Sequence, residues 1–230
     1  MINEIVNDFN KAVFVDSRYK FILDGIKNTL IISLISVIIG IFIGTIIAIV
    51  NSYNSETKKF KILSKICKLY VSIIRGTPVL LQLMIIYYVV FRDARDISLI
   101  FIASLAFGIN SGAYVSEIIR AGIESIDKGQ MEAGYALGLN YFQTLKLIIL
   151  PQAIKNVLPA IGNEFITLIK ETSVAGYIGV RDLTKASDII ASRTYNYFFP
   201  LIIAALIYLI IILMLTKILN VFERRLRENA

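Results

Sequence analysis

Glu132-Ala133-Gly134-Tyr135-Ala136-Leu137-Gly138, followed a short way on by Ile149-Leu150-Pro151, is a polar, helix-compatible stretch set between strongly apolar ones. On a short helix, Ala133, Gly134, Ala136 and Gly138 would form a small-residue surface that another protein's backbone can approach closely. Gly138 can end a helix beginning near Gln130, and Pro151 can start or kink the next one. The expected unit is a helix, a turn and a second helix. Taken alone, the seven residues also fit an ordinary amphipathic loop helix with Gly and Pro punctuation, so the surrounding chain has to decide.

With 230 residues, 57% of them hydrophobic and 18% charged, and a mean hydropathy of +0.71, the chain is too apolar for an ordinary soluble domain. The net charge of +7 does not indicate nucleic acid, because the basic residues sit in short clusters between apolar runs; they read as topology signals. The chain has no histidine and a single cysteine, Cys67, which excludes imidazole catalysis, a Cys/His metal site and an internal disulfide. No cofactor is implied. The polar N-terminus does not read as a signal peptide. Ile2, Ile5, Val6, Phe9 and Val13 at helical spacing predict a short interfacial helix within residues 1–20.

Five crossings are expected. Leu30 to Val50, inside a charge-free run from Asn28 to Tyr53, is long enough to span a bilayer, and Gly40 and Gly44 form a G-x-x-x-G pair suited to close packing within the subunit. Asn51 to Lys68 carries Lys58, Lys59, Lys61, Lys65 and Lys68 against Glu56, which places this loop in the cytoplasm and the N-terminus outside. Arg75-Gly76-Thr77-Pro78 opens the second span, which continues through Gln82 and Tyr87-Tyr88 to Phe91; Gly-Thr-Pro there implies a kink or a pore-lining break. After an outer turn from Arg92 to Asp96 comes the third span, Ile97 to about Ser116. The fourth, Val157 to Val180, is the least obvious because it includes Glu164, Lys170 and Glu171. Val180 to Tyr197 is polar and expected outside, and Thr194 to Thr216 returns the chain to a cytoplasmic, Arg-rich C-terminus at Glu223-Arg224-Arg225-Leu226-Arg227.

Two polar strings lie inside these spans. Asn110, Ser111, Tyr114 and Glu117 share one helical face, which should look toward other helices or a watered path because lipid would leave them unsatisfied. Lys170-Glu171-Thr172-Ser173 admits two readings: the charges pair for structure alone, or the carboxylate attracts an ammonium group while the hydroxyls satisfy the rest of a zwitterion.

The opening stretch resembles the EAA loop of ABC-transporter permeases, with Gly138 and Leu150-Pro151 at matching positions and Gly134 in place of the usual second Ala. Arg75-Gly76-Thr77-Pro78 with Gln82, the string Asn110 to Gly122, and Gly162 to Ser173 resemble the polar amino acid uptake subfamily, in the expected order. The resemblance implies an all-α, polytopic, type I importer permease with five transmembrane helices. It would be one domain, about residues 21–222, in the bacterial inner membrane, with a cytoplasmic coupling loop at about 121–155. It further implies an ATPase docked through Glu132, Ala133, Gly134, Gly138, Leu139 and Pro151, a second permease subunit, and an extracellular or lipid-anchored amino-acid-binding protein. Substrate would pass near Thr77, Gln82, Ser111, Tyr114, Glu117, Lys170, Glu171, Thr172 and Ser173. The chain has no G-x-x-x-x-G-K-[ST] sequence, so ATP hydrolysis falls to the partner. A secondary transporter or channel for a small polar solute would need similar stripes but has no use for an ATPase-docking loop.

Overall fold

In lipid, backbone groups must be satisfied within the segment, so apolar runs of this length fold as helices. The computed structural model describes residues 2–94 and 96–228, and its regular elements are all helical. Met1, Arg95 of the turn expected outside, Asn229 and Ala230 lie outside the described residues, as do the side chains of Ile2, Glu4, Ile5, Glu56 and Arg227.

The amphipathic α1 (Ile2–Val13) forms as the N-terminal pattern predicts, and leads into α2 (Tyr19–Thr57). At 39 residues α2 is longer than the apolar core Leu30 to Val50, because tertiary contacts hold both ends. Its N-terminal part packs on the residues around Leu183, and toward its C-terminal end Ser52 shares a 2.6 Å hydrogen bond with the Tyr141 hydroxyl. The central helix is α5 (Leu99–Glu124), two thirds of whose span is buried, against about a tenth for the peripheral α10 (Phe198–Glu228). Gly40 and Gly44 pack within the subunit, as expected: a Cβ at Gly40 would lie 2.6 Å from Ser111 Oγ, and one at Gly44 2.8 Å from the Ser116 nitrogen. Ile32, Leu83, Ile102, Phe107 and Leu168 form the largest buried cluster beside this contact.

Three boundaries differ from expectation. Most of the lysine-rich loop and the start of the second span form one helix, α3 (Lys61–Arg75), leaving only residues 58–60 as connection. Gly76-Thr77-Pro78 then does more than kink the span: α3 meets the following segment, α4 (Val79–Ile85) with a π-type turn to Val90, at 108°. With the four long apolar helices, this bent pair makes five spans when its two arms are counted as one. In the loop expected on the cytoplasmic side, α5 runs on past Ser116 to Glu124 and is followed by α6 (Lys128–Ala136) and α7 (Tyr141–Thr144).

The fourth long helix, α8 (Leu150–Glu171), starts seven residues before Val157. Hydropathy missed this stretch because Gln152, Lys155 and Asn156 are polar; Asn156 Nδ2 donates to Ser125 Oγ and Gln152 Nε2 to the Ile148 carbonyl, so the two amides have partners. A 3-10 segment, Thr172–Ile178, completes it. The supposed polar loop Val180 to Tyr197 is mostly a helix, α9 (Leu183–Thr194), which buries Leu183, Ala186 and Ile190 and is N-capped by Asp182. Because α9 ends at Thr194, the last span begins at Phe198 instead.

Candidate functional site

The residues expected to carry function fall in two regions, one inside the bundle and one in the segment around α6. The residues named for the path fall into three groups.

The first group stitches the broken crossing. Breaking the ladder at Gly76-Thr77-Pro78 frees carbonyls that need donors. Gln82 Nε2 donates to the carbonyls of Ile74 (2.8 Å) and Thr77 (3.1 Å) and to Thr77 Oγ1 (2.7 Å), while Thr77 Oγ1 donates to the Ile73 carbonyl. Asn110 Nδ2 of α5 donates to Gln82 Oε1 at 2.8 Å, tying the break to the central helix. Thr77 and Gln82 thus satisfy the backbone of the break.

The second group lies between α5 and α8. Ser111 Oγ donates to Glu164 Oε1 at 2.8 Å. Glu171 stands two turns farther along α8, on the same face, and both carboxylates are half-buried. Among the described residues neither forms an ion pair. Lys170 is exposed, and among the described residues it forms no ion pair with its neighbour Glu171. Thr172 is buried and donates to the Ile169 carbonyl, and Ser173 is half-buried. Glu164 and Asn110 were missed as site residues although both sit in quoted strings; the signal for Glu164 is its seven-residue spacing from Glu171.

The third group is near the C-terminal end of α5. Glu117 lies 3.6 Å from Arg75 and 2.8 Å from Arg120, which also holds Glu124 at 2.6 Å. The Arg75 guanidinium sits 5.4 Å from the centre of the Tyr114 ring. Tyr114 and Glu117 are therefore engaged by cations of the chain itself, away from Glu171.

In the expected coupling segment, Asp127 caps α6 by accepting from the Gly129 N–H at 2.7 Å. Gly138, at φ +80°, closes it: the Leu139 N–H bonds the Gly134 carbonyl and the Gly138 N–H the Tyr135 carbonyl, a Schellman motif. The helix therefore begins two residues before Gln130 and ends where Gly138 predicted. Glu132, Ala133, Ala136 and Gly138 are exposed, Leu137 is 77% exposed and Leu139 is half-buried. Gly134 departs from expectation. It is buried against the chain's own α7, where a Cβ would fall 2.3 Å from Thr144 Cγ2, so it does not belong to the surface offered to a partner. An Asn140–Gln143 capping box starts α7, and Pro151 occupies the first turn of α8 as predicted.

A bundle of long apolar helices with a sharply bent segment, half-buried carboxylates between two of its central helices and an exposed, capped helix at one end has the build of a membrane transport subunit. The chain belongs to the family described as binding-protein-dependent transport system inner membrane component, which matches residues 36–228. It is 44% identical to the Bacillus subtilis arginine transport system permease protein ArtQ over 223 residues, 96% of this chain and 98% of that one. It is 43% identical to a Rickettsia bellii protein provisionally named glutamine transport system permease GlnP, over 95% of this chain and 98% of that one. Among solved structures it resembles an amino acid ABC transporter crystallised with histidines, at 42% identity and a TM-score of 0.83, covering 90% of this chain and 94% of that one. The inward-facing MetNI methionine transporter shares the fold at 19% identity and a TM-score of 0.76, covering 90% of this chain and 97% of that one.

The chain is thus a multi-pass inner-membrane permease subunit of an ABC amino-acid importer, a class that works with an ATPase and a second permease subunit. Membership sets aside the secondary-transporter and channel alternative.

Proposed function

We propose that this permease passes polar amino acids bearing a cationic group, with Glu164 and Glu171 forming the negative end of its path. The observation that supports this is the pair of half-buried carboxylates on one face of α8, one held by Ser111, neither in an ion pair among the described residues. Charge unbalanced inside a bundle attracts a mobile counter-ion far more strongly than it would in water. An α-ammonium or a basic side chain supplies that charge. Ser111, Thr172 and Ser173 offer hydroxyls beside it, and the exposed Lys170 serves the substrate carboxylate. Thr77, Gln82, Tyr114 and Glu117 act on the path through the break they stabilise.

In this reading the N-terminus is outside, and Glu132, Ala133, Gly138, Leu139 and Pro151 define the docking unit for the ATPase. A second permease, identical or closely related, completes the path, and an extracellular or lipid-anchored binding protein delivers substrate. ATP binding and the loaded binding protein each favour one access state through differential contacts.

The test is ATP-driven uptake of arginine, lysine, histidine, glutamine and glutamate by the complex reconstituted in liposomes. Basic substrates should lead, and Glu164→Gln should reduce their uptake about tenfold, equivalent to about 1.4 kcal/mol, with the complex still assembling. Glutamate carried as well as arginine, or full arginine uptake by Glu164→Gln, would remove the carboxylates from this role.

A further inference from the structure

The helix α3 has three faces. Ser64, Cys67, Val71 and Ile74 turn toward α2 and α5, where Val71 is buried with Ile47 and Ala113, and the Tyr70 hydroxyl donates to the Ile109 carbonyl. On the opposite side Ile62, Ile66, Leu69 and Ile73 form an apolar stripe, 77, 58, 60 and 53% exposed. Between the two lie Lys61, Lys65 and Lys68, all exposed and continuous with Lys58 and Lys59. Among the described residues none of these five lysines forms an ion pair; Lys58 Nζ donates to the Ser55 carbonyl.

Direction completes the picture. The segment beginning at α4 runs along the bundle, from the Gln82–Asn110 contact to Tyr88, whose hydroxyl reaches the Tyr177 carbonyl. Since α3 meets it at 108°, α3 lies across the bundle. A helix lying across a membrane protein with an exposed apolar stripe and a basic edge has the build of an interfacial helix.

We propose that α3 is a binding surface for anionic phospholipid of the cytoplasmic leaflet. Acyl chains cover Ile62, Ile66, Leu69 and Ile73, while the headgroup phosphates meet Lys61, Lys65 and Lys68. The charge pattern selects this occupant. Five lysines lie within eleven residues with no acid from Thr57 to Lys68, so an anion is complementary, whereas a second copy related by a twofold axis on this stripe would bring its own lysines to the same edge. This surface is independent of the amino acid carried.

The chain contains no tryptophan, which permits a clean test. Ile66→Trp is introduced on the stripe, and Phe42→Trp, at an exposed position of α2 far from these lysines in sequence, serves as control. Each full-length variant is reconstituted in phosphatidylcholine vesicles containing phosphatidylglycerol, with one or the other lipid brominated. Bromolipid quenching of the indole in the Ile66→Trp chain should favour phosphatidylglycerol by about threefold or more, and the preference should fall toward one in 0.5 M salt. Combining Ile66→Trp with Lys61→Gln, Lys65→Gln and Lys68→Gln should abolish it, and the three arginine replacements should keep it. Phe42→Trp should show no preference and, in the glutamine background, should still be quenched, confirming insertion. Equal quenching of the Ile66→Trp indole by the two lipids overturns the proposal. So does protection from both, which would show the stripe covered by protein.

Discussion

Single atoms decide how closely the central helices meet. With 2.6 Å between a Gly40 Cβ and Ser111 Oγ, any side chain at residue 40 pushes on the hydroxyl that holds Glu164. Gly40→Leu should cost about 1–3 kcal/mol by overpacking and lower the melting temperature of the detergent-solubilised chain; an unchanged melting curve would contradict the close approach. A second residue-scale effect lies outside the spans. Burial raises the pKa of the Asp182 carboxyl, outweighing the hydrogen bonds from the Thr184 and Lys185 N–H groups that lower it. A raised carboxyl pKa means that stability is greatest while the group is protonated and falls as pH rises through its folded-state value, above the ordinary 3.8. Asp182→Asn keeps an acceptor for the cap and loses the charge. Its melting temperature relative to the parent chain should therefore climb as pH rises above the ordinary carboxyl value of 3.8; a constant difference would show that the carboxylate sits there without penalty.

At the scale of elements, α6 and α3 show how much a helix end or break controls. The αL conformation at Gly138 lets the Schellman bonds close, and no atom stands within 4 Å of where its Cβ would be, so the position is open to a partner. Gly138→Asp combines roughly 1–2 kcal/mol of backbone strain with a charge in the docking surface. Co-purification with the ATPase should be lost while membrane insertion is intact, and normal co-purification would show that the loop docks elsewhere. The small residues here were legible in sequence, yet Gly134 was assigned to the wrong side. Composition gives a small residue no direction, and only the packing of α7 showed that Thr144 fills the space above it. Likewise Gly-Thr-Pro announced a break, but its 108° turn depends on Gln82 reaching back to Ile74 and on Asn110 holding Gln82, contacts between residues 8 and 28 positions apart.

Across the whole molecule, long apolar runs determined that the chain is a helical membrane protein, because a bilayer leaves an apolar segment no other way to satisfy its backbone. Glycine and proline placement likewise determined the short helix α6 and its stop, since αL geometry and the missing proline N–H are properties of those residues themselves. Tertiary structure decided the rest. It made α9 a helix from a segment too polar to read as one, because Leu183, Ala186 and Ile190 find a buried surface against their neighbours. It separated Thr77 and Gln82 from Ser111 and Glu164, and drew Glu117 to Arg75 and Arg120. Those outcomes depend on which helix faces meet, and periodicity along one helix fixes its own faces but not the neighbour that each will find.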